Sequence, residues 1–389
     1  MKHMKKIYFV ILIVYLTVFG VGAYADNGSS FIIDEQMDIL NISDLENIIE
    51  NTIRENELLP EFNTKEFLRN LVKGNISFNP KDIVRNIWLV FFKELRLSLI
   101  LLAKILIITL ISSILTNLQS TFENASVAEL ANYISYVLIA ILVISSFDQV
   151  MDLARNTVDN MVGFMQVILP ILLTLLTAAS GPNTKMLFHP MILMTVNFIG
   201  ILIKTIILPL IYFSFIISII SNISNRMEFS KLSELGRQVI TFIISGALTL
   251  FIGIITIYGL GTKMDGLTIR TAKFAIDKFI PIVGGFLSDA VEAVVGCSAI
   301  LKNGLGVIGL LILLFICILP IIKILVLLFA YKLISVVIQP IGSSNLVEFF
   351  NQVGKSLLLI LVSLISTGTM FFITITIIVE TGNNLLMLR

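Results

Sequence analysis

The chain has 389 residues, of which 57% are hydrophobic and 14% are charged, and its formal net charge is +1. A soluble domain needs more charge to cover its surface, so the composition predicts a polytopic membrane protein. The near-neutral balance and the lack of a basic stripe with interleaved aromatics exclude a nucleic-acid-binding surface. Two cysteines without a CxxC pair and two histidines form no ligand cluster, so we expect no metal and no cofactor.

Residues 1–25 have the pattern of a secretory signal peptide. A basic start precedes the apolar core at residues 7–21, and Ala23-Tyr24-Ala25 fits the small-x-small cleavage rule. An uncleaved first membrane helix is the alternative. Both interpretations place the following segment on the extracytoplasmic side of the membrane.

Residues 26–92 are the only sizeable polar region. Apolar residues recur at helical spacing within residues 44–58, after a capping-box start. Asn79-Pro80-Lys81 opens a further helix, in which Trp88 beside Phe91 is typical of a membrane interface. The region is predicted to be a small helical module that contacts a partner or lies on the membrane.

The membrane body begins near residue 97, and we expect an all-α protein with about six to eight transmembrane helices, since about 20 apolar residues cross a bilayer. Charged residues between 148 and 160 indicate an aqueous loop or an interfacial helix. Two runs are too long for one span, and their prolines and lysines predict two spans or one broken span in each. The predicted spans and over-long runs are residues 97–118, 133–147, 162–179, 186–223, 239–260, 305–338 and 357–379.

Residues 161–262 and 263–389 share one plan and are predicted to form an internal repeat of proline-broken helices, after first membrane helices and a loop in residues 93–160. Pro170 and Pro209 are 39 residues apart, and so are Pro281 and Pro320; these four prolines mark equivalent positions. Long-period self-similarity is typical of two copies of one structural unit, and in transporters such copies flank a pathway.

Each copy continues after its second proline with an apolar run, a polar patch and another apolar run. The polar patches carry the pairs Gly236-Arg237 and Gly354-Lys355, which are 118 residues apart, whereas the prolines are 111 apart. The second copy therefore contains an insertion of about seven residues. An odd number of crossings per copy would make the copies inverted and an even number parallel, and the sequence leaves both open.

Several residues are candidates for a pathway or for helix packing. A lysine within an apolar run costs a few kcal/mol unless it faces water or a partner, so it marks a pathway, snorkels or pairs. Asp289 and Glu292, at i and i+3, are candidates for cation or proton binding or form a solvated helix face. The Gly284-Gly285 pair is interpreted as ending a re-entrant half-helix. The full set is Lys104, Lys204, Pro281, Gly284, Gly285, Asp289, Glu292, Pro320 and Lys323.

Gly304-Leu-Gly306-Val-Ile-Gly309 matches the GxGxxG pattern but opens a membrane-length apolar run, whereas a dinucleotide site must follow a strand. Glycines in such a run are typical of close helix packing. The sequence has no Walker A loop, HExxH or GxSxG motif, so we expect no enzymatic activity and no catalytic residues.

One stretch carries a family resemblance. The segments Lys273-Phe274, Phe279-Ile-Pro-Ile-Val-Gly-Gly285, Leu287-Ser-Asp-Ala290, Val294-Val-Gly-Cys297 and Leu301-Lys-Asn303, with the order of signal, polar region and membrane body, resemble the stage III sporulation protein AE family of endospore-forming bacteria. The resemblance implies a component of the channel or feeding-tube complex that links mother cell and forespore after engulfment. It implies a location in the mother-cell membrane around the forespore, with the N-terminal region in the intermembrane space. The implied partners are ring-forming and membrane proteins of that complex and an ATPase.

A stand-alone secondary transporter is the alternative, with a site at the repeat interface and coupling through Lys104, Lys204 or the Asp289/Glu292 pair. Under the 111-residue offset, however, Lys204 corresponds to Phe315 and not to Lys323. The lack of a repeated charge favours the complex component.

Overall fold

The computed structural model describes residues 80–119, 125–180, 183–223, 230–261, 284–340 and 344–381. Within these ranges the chain is almost entirely helical and contains no strand. The elements are α1 (Pro80–Gln119), α2 (Ala125–Ser180), α3 (Asn183–Ile201), a π-helical segment (Leu202–Ile207), α4 (Leu208–Ile223), α5 (Ser230–Gly261), α6 (Gly284–Ile338) and α7 (Ser344–Thr381).

Five helical stretches in the described residues are long and apolar enough to cross a membrane. They are Tyr133–Ala178, Pro190–Ser221, Lys231–Thr256, Val294–Ile338 and Asn345–Thr381. The predicted span 97–118 lies on α1, which brings the count into the predicted range. The prediction of an all-α polytopic membrane protein is confirmed, while the signal peptide and residues 26–79 lie outside the described ranges.

α6 is the central helix of the bundle and packs against α1, α2 and α7. Contacts along α2 fix the direction of its neighbours. Asp159 and Gln166 of α2 meet Lys204 and Asn197 respectively, so the α3–α4 rod runs antiparallel to α2. Contacts between α4 and α5, between α6 and α7 and between α2 and α6 are antiparallel in the same way, so α2, α5 and α7 run one way, and α3–α4 and α6 run the other way.

α2 is continuous through the charged stretch at residues 148–160, which is therefore not a loop. Its charged and amide side chains are exposed, whereas Met151, Ala154 and Val158 are buried at helical spacing. The pair formed by Asp152 and Arg155, 3.6 Å apart at i and i+3, supports the same helix. The charges thus occupy one face of an amphipathic helix.

The prolines do not end the long helices. Pro320 lies inside α6, which continues through it. Pro209 lies two residues after Ile207, the last residue of the π-helical segment, and its ring would crowd the carbonyl of Thr205 in a regular helix. A wider π-helical turn accommodates the proline, so residues 183–223 form one continuous rod with a local irregularity.

Glycines permit the closest helix contacts. A Cβ placed on Gly306 of α6 would lie 2.1 Å from Val379 Cγ2 of α7, and one on Gly200 of α3 would lie 2.6 Å from Val162 Cγ2 of α2. The interpretation of the GxGxxG match as a packing feature is therefore confirmed for Gly306. Cys297 and Cys317 are both free thiols.

Two further glycine contacts support the repeat, which remains a proposal. Gly236 of α5 approaches Ser214 of α4, and Gly354 of α7 approaches Lys332 of α6. Ser214 and Lys332 are 118 residues apart, the same offset as the two glycines. Both helix pairs thus meet at equivalent positions. In the described residues, α3–α4 followed by α5 corresponds to α6 followed by α7, and the matching helices run in the same directions, as in parallel copies. The first copy also includes the end of α2, whose counterpart in the second copy lies outside the described residues.

Candidate functional site

One ion pair connects α1 with α6 inside the apolar bundle. Lys323 Nζ lies 3.6 Å from Glu94 Oε1, and the glutamate side chain is only 20% exposed. The pair lies at a cleft of about 500 Å³ between α1, α2 and α6. Polar side chains line this cleft, among them Ser98, Ser145 and Gln149. The surroundings of Lys323 are therefore partly polar, which lowers the cost of a charge among apolar helices.

A second ion pair joins the π-helical segment to the middle of α2. Lys204 Nζ donates to Asp159 Oδ1. One step further along the same helices, Gln166 Nε2 donates to Asn197 Oδ1 at 2.6 Å. The π-helical turn determines the direction in which the Lys204 side chain points from the α3–α4 rod. Such turns often occur at functional positions.

The two ion pairs show that Lys204 and Lys323 are paired with carboxylates of neighbouring helices. Structural pairing was one of the alternatives that the sequence left open for these lysines. They lie on different helices with different partners, so the structure brings them into no common site. The sequence could not identify the partners Glu94 and Asp159, because both lie far away along the chain.

Lys104 is exposed on the outer face of α1 and has no ion-pair partner in the described part of the chain. The exposed side chains above and below it on the same helix face are apolar. This face, which we call the Lys104 face, consists of Leu97, Ile100, Lys104, Ile107, Ile111 and Ile114.

The remaining predicted residues lie at or before the start of α6. Gly284 and Gly285 are the first residues of α6, so the glycine pair begins a helix. Asp289 and Glu292 lie within the first turns of α6, and their side chains are outside the described residues. Pro281 also lies outside them. Their proposed role in cation or proton binding stays a prediction.

Lys302 was not among the predicted site residues, although it is the most deeply buried charged side chain described. Its exposed fraction is 0%, and its Nζ has no hydrogen-bond partner in the described part of the chain. In the sequence it belongs to a group of mixed charges that resembles a solvated face. Lys302 lies directly before the apolar run at residues 305–338, and this position could have indicated its burial. α6 is buried on several sides there.

The described residues contain no group of three or more His, Cys, Asp or Glu side chains that could hold a metal ion. Within these ranges, two ion pairs, Lys204–Asp159 and Lys323–Glu94, connect neighbouring helices. Such pairs stabilise the relative rotation of neighbouring helices and reduce the cost of their own burial. The fold and these pairs define a polytopic α-helical membrane protein whose apolar helices are connected by a few ion pairs and hydrogen bonds.

Comparison with known proteins identifies the family within this class. The family described as stage III sporulation protein AE matches residues 62–382, and the chain belongs to this family. The chain is 34% identical over 333 residues to the stage III sporulation protein AE of Bacillus subtilis (strain 168), which covers 85% of this chain and 83% of the relative. No solved structure matches the chain.

Proposed function

We propose that this protein is a non-enzymatic membrane subunit of the complex that links mother cell and forespore, and that forespore development after engulfment requires it. The observation that carries the proposal is the family match, which extends from residue 62 to residue 382 and so includes nearly all of the membrane body. The family places the protein in sporulation, and the link between the two cells is the finer step that we propose.

The arrangement of charges supports a subunit over a self-sufficient carrier. Lys204 and Lys323 are each paired with one carboxylate of the same chain, and the cleft beside Lys323 is not lined by Lys204 in the described part of the chain. A coupled carrier needs a site that changes its charge partner during transport. The Lys104 face, by contrast, points away from the bundle and is available to another membrane subunit.

The proposed setting is the mother-cell membrane around the forespore, with the N-terminal region in the intermembrane space. The proposed partners are membrane and ring-forming proteins of the same complex and an ATPase. The stand-alone transporter remains the second candidate because a polar cleft lies between α5 and α7, which belong to different copies of the proposed repeat.

Deletion of the gene in its own host tests the proposal. Cells are followed through sporulation by membrane staining and by reporters of forespore gene expression before and after engulfment. We expect normal engulfment followed by a silent or collapsing forespore, and rescue by the wild-type gene. Normal spores would contradict the proposal.

Purification separates the two candidates. A subunit should be recovered from sporulating cells with other proteins of the complex, and should transport nothing when reconstituted alone in liposomes. Solute uptake by the protein alone, together with a growth defect on one nutrient or ion, would support the transporter.

A further inference from the structure

A cleft of about 760 Å³ lies between α5 and α7, near the start of both helices. Arg237 and Glu234 line it from α5, and Lys355, Glu348 and Gln352 line it from α7. Arg237 and Lys355 are 118 residues apart, as are Glu234 and Gln352. The cleft is therefore formed by equivalent positions of the two proposed copies, although its binding properties do not depend on the repeat.

Arg237 is held in place from one side only. Its Nη2 donates to the hydroxyl of Ser233, which is fully buried. The Ser233 hydroxyl also bonds Ser218 Oγ at 2.6 Å, and the Ser233 carbonyl accepts from Ser214 Oγ at 3.0 Å. This buried serine cluster between α4 and α5 fixes the guanidinium with one edge toward the cleft.

The other edge of the guanidinium is unsatisfied. Arg237 Nη1 is buried and has no hydrogen-bond partner, and Arg237 forms no ion pair within the described ranges. On the opposite wall, Gln352 Nε2 donates to Glu348, whereas Gln352 Oε1 is buried and accepts from no donor in the described part of the chain. A buried donor and a buried acceptor left unpaired each cost about 1–3 kcal/mol, so both favour a bound group that satisfies them.

The remaining charges define the chemistry of that group. Glu348 is paired with Lys355 at 3.8 Å, and Glu234 lies at the edge of the cleft as an exposed carboxylate. Two cations and two carboxylates thus line the cleft, and a simple anion would meet both signs of charge. A group that carries an anionic oxygen for Arg237 and an N–H donor for Gln352 or Glu234 matches this pattern.

The location favours a lipid over a soluble molecule. Phe242 lines the cleft on the side away from the helix starts, and its side chain is 78% exposed. The cleft lies where two apolar stretches, Lys231–Thr256 and Asn345–Thr381, begin. Head groups lie at the ends of membrane-crossing segments, and an exposed aromatic ring below them contacts acyl chains.

We propose that the α5–α7 cleft binds phosphatidylethanolamine, with the phosphate on Arg237 and Lys355 and the ammonium on Gln352 and Glu234. Phosphatidylcholine carries the same phosphate but no N–H donor, so it leaves Gln352 Oε1 unpaired. Phosphatidylglycerol offers an anion without an ammonium, so it brings no cationic N–H donor to the carboxylate of Glu234.

The test uses the full-length protein, purified in detergent and delipidated. Each of the three lipids is titrated separately, and bound lipid is counted by native mass spectrometry. Arg237→Gln and Lys355→Gln remove the phosphate contacts. Lys231→Gln is the matched control, because Lys231 is an exposed lysine on α5 outside the cleft.

We expect phosphatidylethanolamine to bind about tenfold more tightly than phosphatidylcholine, and Arg237→Gln to weaken it about tenfold, with Lys231→Gln unchanged. Lys355 is exposed, so Lys355→Gln keeps the test valid if Arg237→Gln fails to fold. Equal binding of the three lipids, or unchanged binding by the folded cleft variants, would overturn the proposal. Free phosphoethanolamine that binds as tightly as the lipid would overturn the assignment to a lipid. A sporulation defect in the deletion strain is independent of all these outcomes.

Discussion

Lys204 and Asp159 form an ion pair that connects the π-helical segment with the middle of α2, across 45 positions of the sequence. A regular α-helix at residues 202–207 would rotate Lys204 relative to the residues that follow it. The π-helical turn before Pro209 and the pairing of Lys204 are therefore two aspects of one local structure. The pair joins the rod of α3 and α4 to the longest described helix.

Neutralisation of one partner of this pair should destabilise the protein modestly. Both side chains are more than one-third exposed, so we expect Lys204→Met or Asp159→Asn to cost about 0.5–1 kcal/mol. The exchanged pair Lys204→Asp with Asp159→Lys should recover most of this loss. Thermal unfolding in detergent measures both effects. If the exchanged pair were less stable than either single variant, the direct interaction would not be the source of the effect.

Substitution of Lys302 should stabilise the protein, whereas neutralisation of Lys204 or Asp159 should destabilise it. The Lys302 ammonium is fully buried and has no hydrogen-bond partner among the described residues, so it pays a desolvation cost that an apolar side chain does not. We expect Lys302→Met, which preserves the length of the side chain, to raise the free energy of unfolding by about 1–3 kcal/mol.

Thermal unfolding and spore counts are measured on the same Lys302→Met variant. A stable protein that no longer supports sporulation would assign Lys302 a functional role. Loss of stability would show that the ammonium has a partner in the assembled protein, contrary to the prediction.

The contact between Gly306 and Val379 predicts a steric effect. A side chain at position 306 meets a β-branched residue that has little freedom to move, so Gly306→Ala should cost about 1–3 kcal/mol. Gly253 on α5 is the matched control, because a Cβ there has no neighbour within 4 Å. Gly253→Ala should be neutral or stabilise the helix by about 1 kcal/mol. The double variant Gly306→Ala with Val379→Ala should recover stability, and equal effects of the two glycine variants would contradict the close contact.

Lys104 offers a test of partner contact. We expect Lys104→Leu to leave thermal unfolding within about 0.5 kcal/mol, because the side chain is exposed. Recovery of other membrane proteins of the proposed complex from sporulating cells should fall, since we propose that Lys104 pairs with a carboxylate of a partner. Lys231→Leu on α5 is the control and should leave recovery unchanged. Equal recovery with both variants would show that the Lys104 face does not contact a partner protein.

The sequence predicted the class and most of the helices because hydrophobic composition and segment length dominate both. It also predicted the start of α1, where Pro80 occupies the first turn. It did not separate a loop from a helix at residues 148–160, since a cluster of charges resembles a loop until burial at Met151, Ala154 and Val158 is recognised. Side-chain burial on a helix depends on which other helices pack against it, and the composition of the chain does not show this.

The candidate residues show the same limit. Lys204 and Lys323 were identified because a charge inside an apolar run is visible locally. Their partners and the π-helical turn depend on contacts between helices that are far apart in sequence. The same holds for Lys302, which has no hydrogen-bond partner among the described residues. Arg237 was noted only as part of a Gly-basic pair, because the serine cluster that fixes it comes from both α4 and α5.

The lengths of α2 and α6 have a consequence for the shape of the protein in its membrane. With 56 and 55 residues, each extends more than 80 Å at about 1.5 Å per residue, whereas the hydrocarbon layer is about 30 Å thick. A helix that crosses this layer once leaves about 50 Å outside it. The apolar stretches Tyr133–Ala178 of α2 and Val294–Ile338 of α6 are themselves longer than one straight crossing. Both helices therefore extend beyond a single hydrocarbon layer.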